Sequence, residues 1–158
     1  MKPLVSIIMG STSDLPIMEK ACKLLDELQV PFEIIKMNNM YNKIANLLVE
    51  VLPAGWNNVV MYAHITEDMY EIFFYVKKDS TYYNCFKLEK EFGISRKAIM
   101  GCFDKIHEAL LDDYVEKKWY CATIQLSNDN KFIIDYAYDD QSDNEELFKA
   151  NWKQTFLK

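Results

Sequence analysis

What most constrains this chain is that its opening is written for one architecture and its continuation for another, with the change near residues 34–40. Leu4 to Met9 form a continuous apolar run of the kind carried by a strand covered on both faces. Gly10-Ser11-Thr12-Ser13-Asp14 then reads as a turn, and Pro16 suits a first helical turn. Met18, Ala21, Cys22, Leu25 and Leu28 recur at helical spacing, and Val30-Pro31-Phe32-Glu33-Ile34 begins a second strand. A β-α-β opening of this kind pairs its strands in parallel, and a parallel pair needs further βα units to cover both faces. None follows. The expected division is therefore residues 1–36, a truncated β-α-β-like appendage, and residues 37–158, a self-contained domain.

The second part has its own complete pattern. Tyr41, Ile44, Leu47, Leu48, Val51 and Leu52 form one helical stripe, stopped by Pro53-Ala54-Gly55. Residues 56–66 alternate as a strand with Val59, Met61, Ala63 and Ile65 on one face, and residues 70–76 alternate again beyond Glu67-Asp68. Residues 81–88 are expected as a third strand. Ser95 is placed to cap a long helix reaching about Lys118, with the stripe Ile99, Phe103, Ile106, Leu110 and Tyr114 widened by Met100, Leu111 and Val115. Residues 119–127 and 131–138 read as strands around Asn128-Asp129-Asn130, and a closing helix from Asp143 brings Leu147, Ala150, Asn151 and Phe156 together. The order α-β-β-β-α-β-β-α implies an α+β fold, an antiparallel sheet with helices packed on it.

Composition narrows the function classes. Half of the 158 residues are apolar and 14% are aromatic, enough for an independent core. No apolar run approaches the roughly 18 residues of a membrane span. The start MKPLVSIIMGSTSD is read as a strand and turn rather than a secretory leader. The four scattered cysteines lack a C-x-x-C pair, so they are expected as free thiols of a cytoplasmic protein with no metal or other cofactor.

Of the formal charge of −6, residues 1–39 carry only −1. Asp135, Asp139, Asp140, Asp143, Glu145 and Glu146 fall within twelve residues that hold no Lys or Arg. Such a face repels nucleic acid and attracts a basic partner. The alternative is a solvated loop and a helix N-terminus, where the macrodipole alone favours acids.

The Gly10–Asp14 turn offers backbone N–H groups and two hydroxyls to an anion, although Ser13 or Asp14 capping the helix explains it as simply. The longer stretch Ser6-Ile7-Ile8-Met9-Gly10-Ser11-Thr12-Ser13-Asp14, with Met18-Glu19-Lys20-Ala21 and Leu25-Asp26-Glu27-Leu28-Gln29-Val30-Pro31-Phe32-Glu33, resembles the amino terminus of carboxyaminoimidazole ribonucleotide mutase, a purine-biosynthesis enzyme. The resemblance covers about a fifth of the chain and implies ribonucleotide contacts by Ser11, Ser13 and Asp14. That family next carries a Ser-Ala-His-Arg segment with its catalytic His. Here the chain reads Ile35-Lys36-Met37-Asn38-Asn39-Met40, and only Gly55, Gly93 and Gly101 remain for the family's later glycine-rich loop. The turn is thus expected to be vestigial, and the chain not to be an enzyme.

Beyond Met40 a second resemblance covers nearly all that is left. Tyr41-Asn42-Lys43-Ile44-Ala45, Leu52-Pro53, Trp56-Asn57-Asn58-Val59, Tyr62-Ala63 and Glu71-Ile72-Phe73-Phe74-Tyr75 look like the opening of the YezG-like antitoxin (immunity) family. Phe132-Ile133-Ile134-Asp135-Tyr136-Ala137-Tyr138-Asp139-Asp140 and Trp152-Lys153 are similar to its C-terminal half, while the loop after Lys78 is shorter. The resemblance implies a protein that binds and inactivates a cognate toxin, often the nuclease domain of a secreted protein, without touching nucleic acid or membrane itself. It directs attention to Asp135, Tyr136, Tyr138, Asp139, Asp140, Asp143, Glu145 and Glu146 as a toxin-binding face. His64 and His107 sit among apolar neighbours with no Ser/His/Asp or Cys/His set around them, and are expected to be structural. The competing reading is a nucleotide-phosphate-binding or mutase-like protein working through the Gly10–Asp14 turn.

Overall fold

A computed structural model describes residues 4–9, 15–36 and 39–158 and divides the chain into two compact units, Met1–Lys43 and Ile44–Lys158. In the first, β1 (Val5–Met9) runs parallel to β2 (Phe32–Lys36), in register from Val5 opposite Phe32 to Met9 opposite Lys36. Helix α1 (Leu15–Glu27) makes the crossover. Met18, Ala21, Cys22 and Leu25 are half-buried as the helical spacing implies. Leu28 is not: the helix ends at Glu27, Gln29 turns to φ 53°, and Leu28 stands 63% exposed.

The second unit is the α+β domain. The division falls within α2 (Asn39–Val49), whose Ile44 and Leu48 are fully buried in the second unit's core. Five antiparallel strands follow: β3 (Asn58–Ile65), β4 (Tyr70–Lys78), β5 (Thr81–Asn84), β6 (Cys121–Ser127) and β7 (Phe132–Ala137). They lie in the order β5-β4-β3-β6-β7, so β3 is central and β5 and β7 are the edges. Val59 pairs with Val76 and Leu126, and Met61 with Phe74 and Ile124, which stacks the apolar set of β3 on one face. Helix α4 (Arg96–Lys117) carries Ile99, Phe103, Ile106 and Leu110 into the same core, with the Phe103 ring edge-on to Phe74 at 6.0 Å. Helix α5 (Glu145–Phe156) serves the opposite face, where Val60, Tyr62, Cys121 and Trp152 form a second buried cluster.

Four local expectations change. The third strand stops at Asn84, because the Asn84 side chain accepts the Phe86 N–H and turns Cys85–Lys87 into a 3₁₀ turn. Short helix α3 (Leu88–Phe92) follows and ends on Gly93 at φ 70°, a left-handed cap that suits glycine. Ser95 takes the N-cap position of α4 without a side-chain cap, and the Glu89 carboxylate accepts the Arg96 N–H instead, at 3.3 Å. Met100 and Val115 are exposed rather than widening the stripe, and Cys102 and Asp113 are buried in their place. On α5, Leu147, Ala150 and Asn151 face solvent, and the buried stripe is Phe148, Trp152 and Phe156 at spacing of four. Among the described residues no helix is long and apolar enough to cross a membrane.

Candidate interaction surface

The link between β7 and α5 places its acids at the surface. Asp135, Asp139, Asp140, Asp143, Glu145 and Glu146 are all exposed. They differ in what they hold. Asp140 accepts the Ser142 N–H at 2.9 Å and the Ser142 hydroxyl, and these bonds keep its carboxyl below the ordinary range. Glu145 pairs with Lys149 one turn along α5, which lowers its pKa. Lys149 also reaches Glu71 of β4 at 2.6 Å. Asp139, Asp143 and Glu146 make no ion pair or side-chain hydrogen bond among the described residues.

Strand alternation separates the remaining candidates. Asp135 projects from β7 on the α5 side and accepts from Gln125 Nε2 at 3.3 Å. Tyr136 projects to the other side, where its ring lies 5.9 Å from Trp119 and under the Lys117 ammonium at 4.5 Å. Burial first, and then the hydrogen bond to Asp113, push its hydroxyl well above the usual tyrosine range. Tyr138 is 56% exposed, its ring 6.3 Å from that of Tyr136. The acids of the link and Tyr138 are thus exposed, while the Tyr136 side chain belongs to the packing between sheet and α4. Ser11, Ser13 and Asp14, the expected phosphate-binding residues, lie outside the described residues.

Several residues that no local pattern marks lie against this acidic rim. His64 of β3 bonds through Nδ1 to the Tyr120 carbonyl at 2.6 Å, and its ring stands 4.5 Å from the Tyr120 ring. It lies within electrostatic reach of Asp140 and Glu145. Lys149 and Glu145 at i, i+4 were the one sequence signal for this set. His64 and Glu71 became neighbours of the rim only through strand pairing, directly opposite one another.

Next to the rim, between β7 and α5, is a groove of about 240 Å³ lined mainly by Ala137, Phe148, Trp152 and Phe156, with Asp135 and Asn151 also lining it. Burial pushes the Cys121 thiol up to about 12, Cys102 up to about 12 and Cys85 up to about 11, so each stays protonated and unreactive at neutral pH. His107 is likewise occupied, its Nε2 at 2.9 Å from the Thr66 carbonyl. No group of three or more His, Cys, Asp or Glu among the described residues could hold a metal ion.

The two parts of the chain match different known proteins. The AIR carboxylase family model matches residues 4–61. N5-carboxyaminoimidazole ribonucleotide mutase of Bacillus subtilis is 67% identical over 33 residues, 21% of this chain and 20% of the enzyme. Phosphoribosylaminoimidazole carboxylase of Candida glabrata is 41% identical over 63 residues, 34% of this chain but 11% of the enzyme. The chain therefore spans a fifth or less of these two enzymes. Immunity protein YezG of Bacillus spizizenii is 28% identical over 113 residues, 66% of this chain and 70% of that protein. The model described as immunity protein YezG-like matches residues 37–156, most of the chain and the whole of the sheet with the helices that cover it, and on that match the chain belongs to the YezG-like immunity protein family.

Proposed function

We propose that this protein binds a cognate toxin, a basic nuclease domain, and neutralises it in the cytoplasm, using the acidic rim between β7 and α5 as part of the contact. The observation that carries this reading is the set of exposed carboxylates from Asp135 to Glu146, uninterrupted by any Lys or Arg. A focused negative surface speeds capture of a positive partner, and speed matters when the partner is lethal. Asp139 and Asp143 are the best probes, because neither side chain holds anything else among the described residues. With the product of the reading frame adjacent to this gene as partner, Asp139→Lys with Asp143→Lys should slow association about tenfold at low ionic strength and much less at moderate salt. The melting temperature should not change. Equal association rates for both proteins at both salts would remove the rim from the interface.

The enzyme-like reading predicts the opposite dependence on the first residues. A chain starting at Met37 keeps α2 whole, including the buried Ile44 and Leu48, so it should melt cooperatively and bind the same partner as the full chain. A nucleotide-phosphate site at Gly10–Asp14 would be lost in that truncation. Circular dichroism melts and binding of both chains decide between them, and a molten Met37 chain would place residues 1–36 within the fold of the domain.

A further inference from the structure

We propose that the outer edge of β7 is a strand-addition site. An extended toxin segment pairs with the backbone of Ile134 and Tyr136, sets a Lys or Arg against Asp135, and lowers one apolar side chain into the β7–α5 groove. This rests on the immunity reading above and specifies how the partner is held.

Backbone geometry makes the edge available. The Ser127 N–H donates to the Lys131 carbonyl at 3.0 Å and the Tyr120 N–H to the Ala137 carbonyl at 2.7 Å. With β6 and β7 antiparallel and Thr123 opposite Asp135, the odd-numbered residues of β7 turn their amide groups toward β6. Ile134 and Tyr136 therefore turn theirs outward, and among the described residues no strand pairs with that side. The other edge is less suitable, since β5 has four residues and runs directly into a 3₁₀ turn.

Side chains on the α5 side set the chemistry of the occupant. Ile133, Asp135 and Ala137 point that way, with Ile133 51% exposed and Asp135 exposed in mid-strand. A charge in the middle of an edge strand discourages indiscriminate pairing. A second copy of β7 would bring its own Asp135 and acidic link to the same edge, like charge against like. A basic strand about 4.8 Å away meets the opposite condition. Side chains of an added strand alternate, so the residue two positions from the one facing Asp135 returns to the same side, over the groove. At about 240 Å³ the groove is below the roughly 300–1,000 Å³ of small-molecule sites, a size for one side chain rather than a metabolite.

The test uses the full chain and, as probe, the product of the adjacent reading frame with its catalytic residues silenced. Amide exchange followed by NMR should show Ile134 and Tyr136 slowed about 100-fold or more in the complex, as for amides bonded in all but roughly one molecule in a hundred. Amides of β5 at the opposite edge should keep their free-protein rates. Asn151→Trp, which fills the groove from an exposed position of α5, should weaken binding at least about tenfold, whereas Asn151→Ala should bind as the unmodified chain does. A complex in which Ile134 and Tyr136 exchange as in the free chain overturns strand addition and leaves the immunity reading standing. Failure of the unmodified chain to form any complex overturns both. Should Asn151→Trp fail to fold, exchange in the unmodified chain decides alone.

Discussion

Replacing Trp152 with alanine is expected to cost about 3–5 kcal/mol, the range for emptying a large aromatic site in a packed core. Trp152 is 4% exposed and is the one fully enclosed residue that α5 contributes. Its ring stands 5.5 Å from Tyr62, 5.7 Å from Phe73 and 5.6 Å from Phe156. Its indole N–H donates to the Thr123 hydroxyl at 2.8 Å, which joins the helix to the middle of β6. Truncation removes the ring contacts together and takes the indole donor away from that hydroxyl. A fall in melting temperature on the order of 10 °C should follow. Trp152→Phe keeps most of the burial and loses the hydrogen bond, so it should cost only about 1–2 kcal/mol. The consequence reaches the proposed site, because α5 supplies one wall of the groove and begins with Glu145 and Glu146. A Trp152→Ala protein with an unchanged melt would show that α5 stands outside the cooperative unit.

The reason this residue was hard to weigh in the sequence shows where periodic reading stops. On β3 the set Val59, Met61, Ala63 and Ile65 is buried as expected, but Val60 and Tyr62 are buried as well, because the central strand is covered on both faces. On α5 two stripes compete, one through Leu147 and Ala150, the other through Phe148, Trp152 and Phe156. Only the partner surface decides between them, and it is an aromatic face made by Tyr62, Phe73 and Tyr75 from two other strands. The extended strand expected from residue 81 failed for a local reason: Asn84 offered its side chain to the backbone, a competitor that hydrophobic alternation does not register.

The rim divides in the same way. Its carboxylates are contiguous in sequence and could be read directly. The groups beneath them could not, because His64 lies 56 residues from the Tyr120 carbonyl it bonds, and Lys149 lies 78 residues from Glu71. The first unit is the converse case. Its strand, helix and strand form as their local pattern dictates, although Ile17 and Leu24 remain 70% and 56% exposed. Local structure needs only the local sequence, whereas a catalytic site needs residues from elsewhere in a fold.

Asp113 gives the second large effect and the pH dependence that accompanies it. It is a carboxylate 9% exposed in the last part of α4. Burial alone would raise its pKa, but the hydrogen bonds from Lys117, Tyr136 and Trp119 outweigh burial and hold it below the ordinary carboxylate range. Lys117 Nζ lies 2.7 Å from Oδ1, and the Trp119 indole N–H donates to Oδ2 at 3.0 Å. Asp113→Ala leaves the buried indole N–H without an acceptor and releases Lys117 from one turn further along the helix. Lys117 is partly exposed and can turn to solvent, so the cost should fall at about 2–3 kcal/mol rather than the full penalty of a stranded buried charge. The sign of the linkage follows from the depressed folded pKa. The unfolded chain takes up the proton first, so this part of the stability is complete above the unfolded value of about 3.9 and is lost as pH falls through the lower folded value. Asp113→Asn keeps an acceptor for the indole and removes the titration, so its stability should fall less steeply than that of the unmodified chain below about pH 4. Denaturant melts of both proteins between neutral and acid pH measure the difference. Parallel curves would mean that Asp113 ionises alike in the folded and unfolded chains, and that the contacts tying α4 to β7 through Tyr136 owe nothing to its charge.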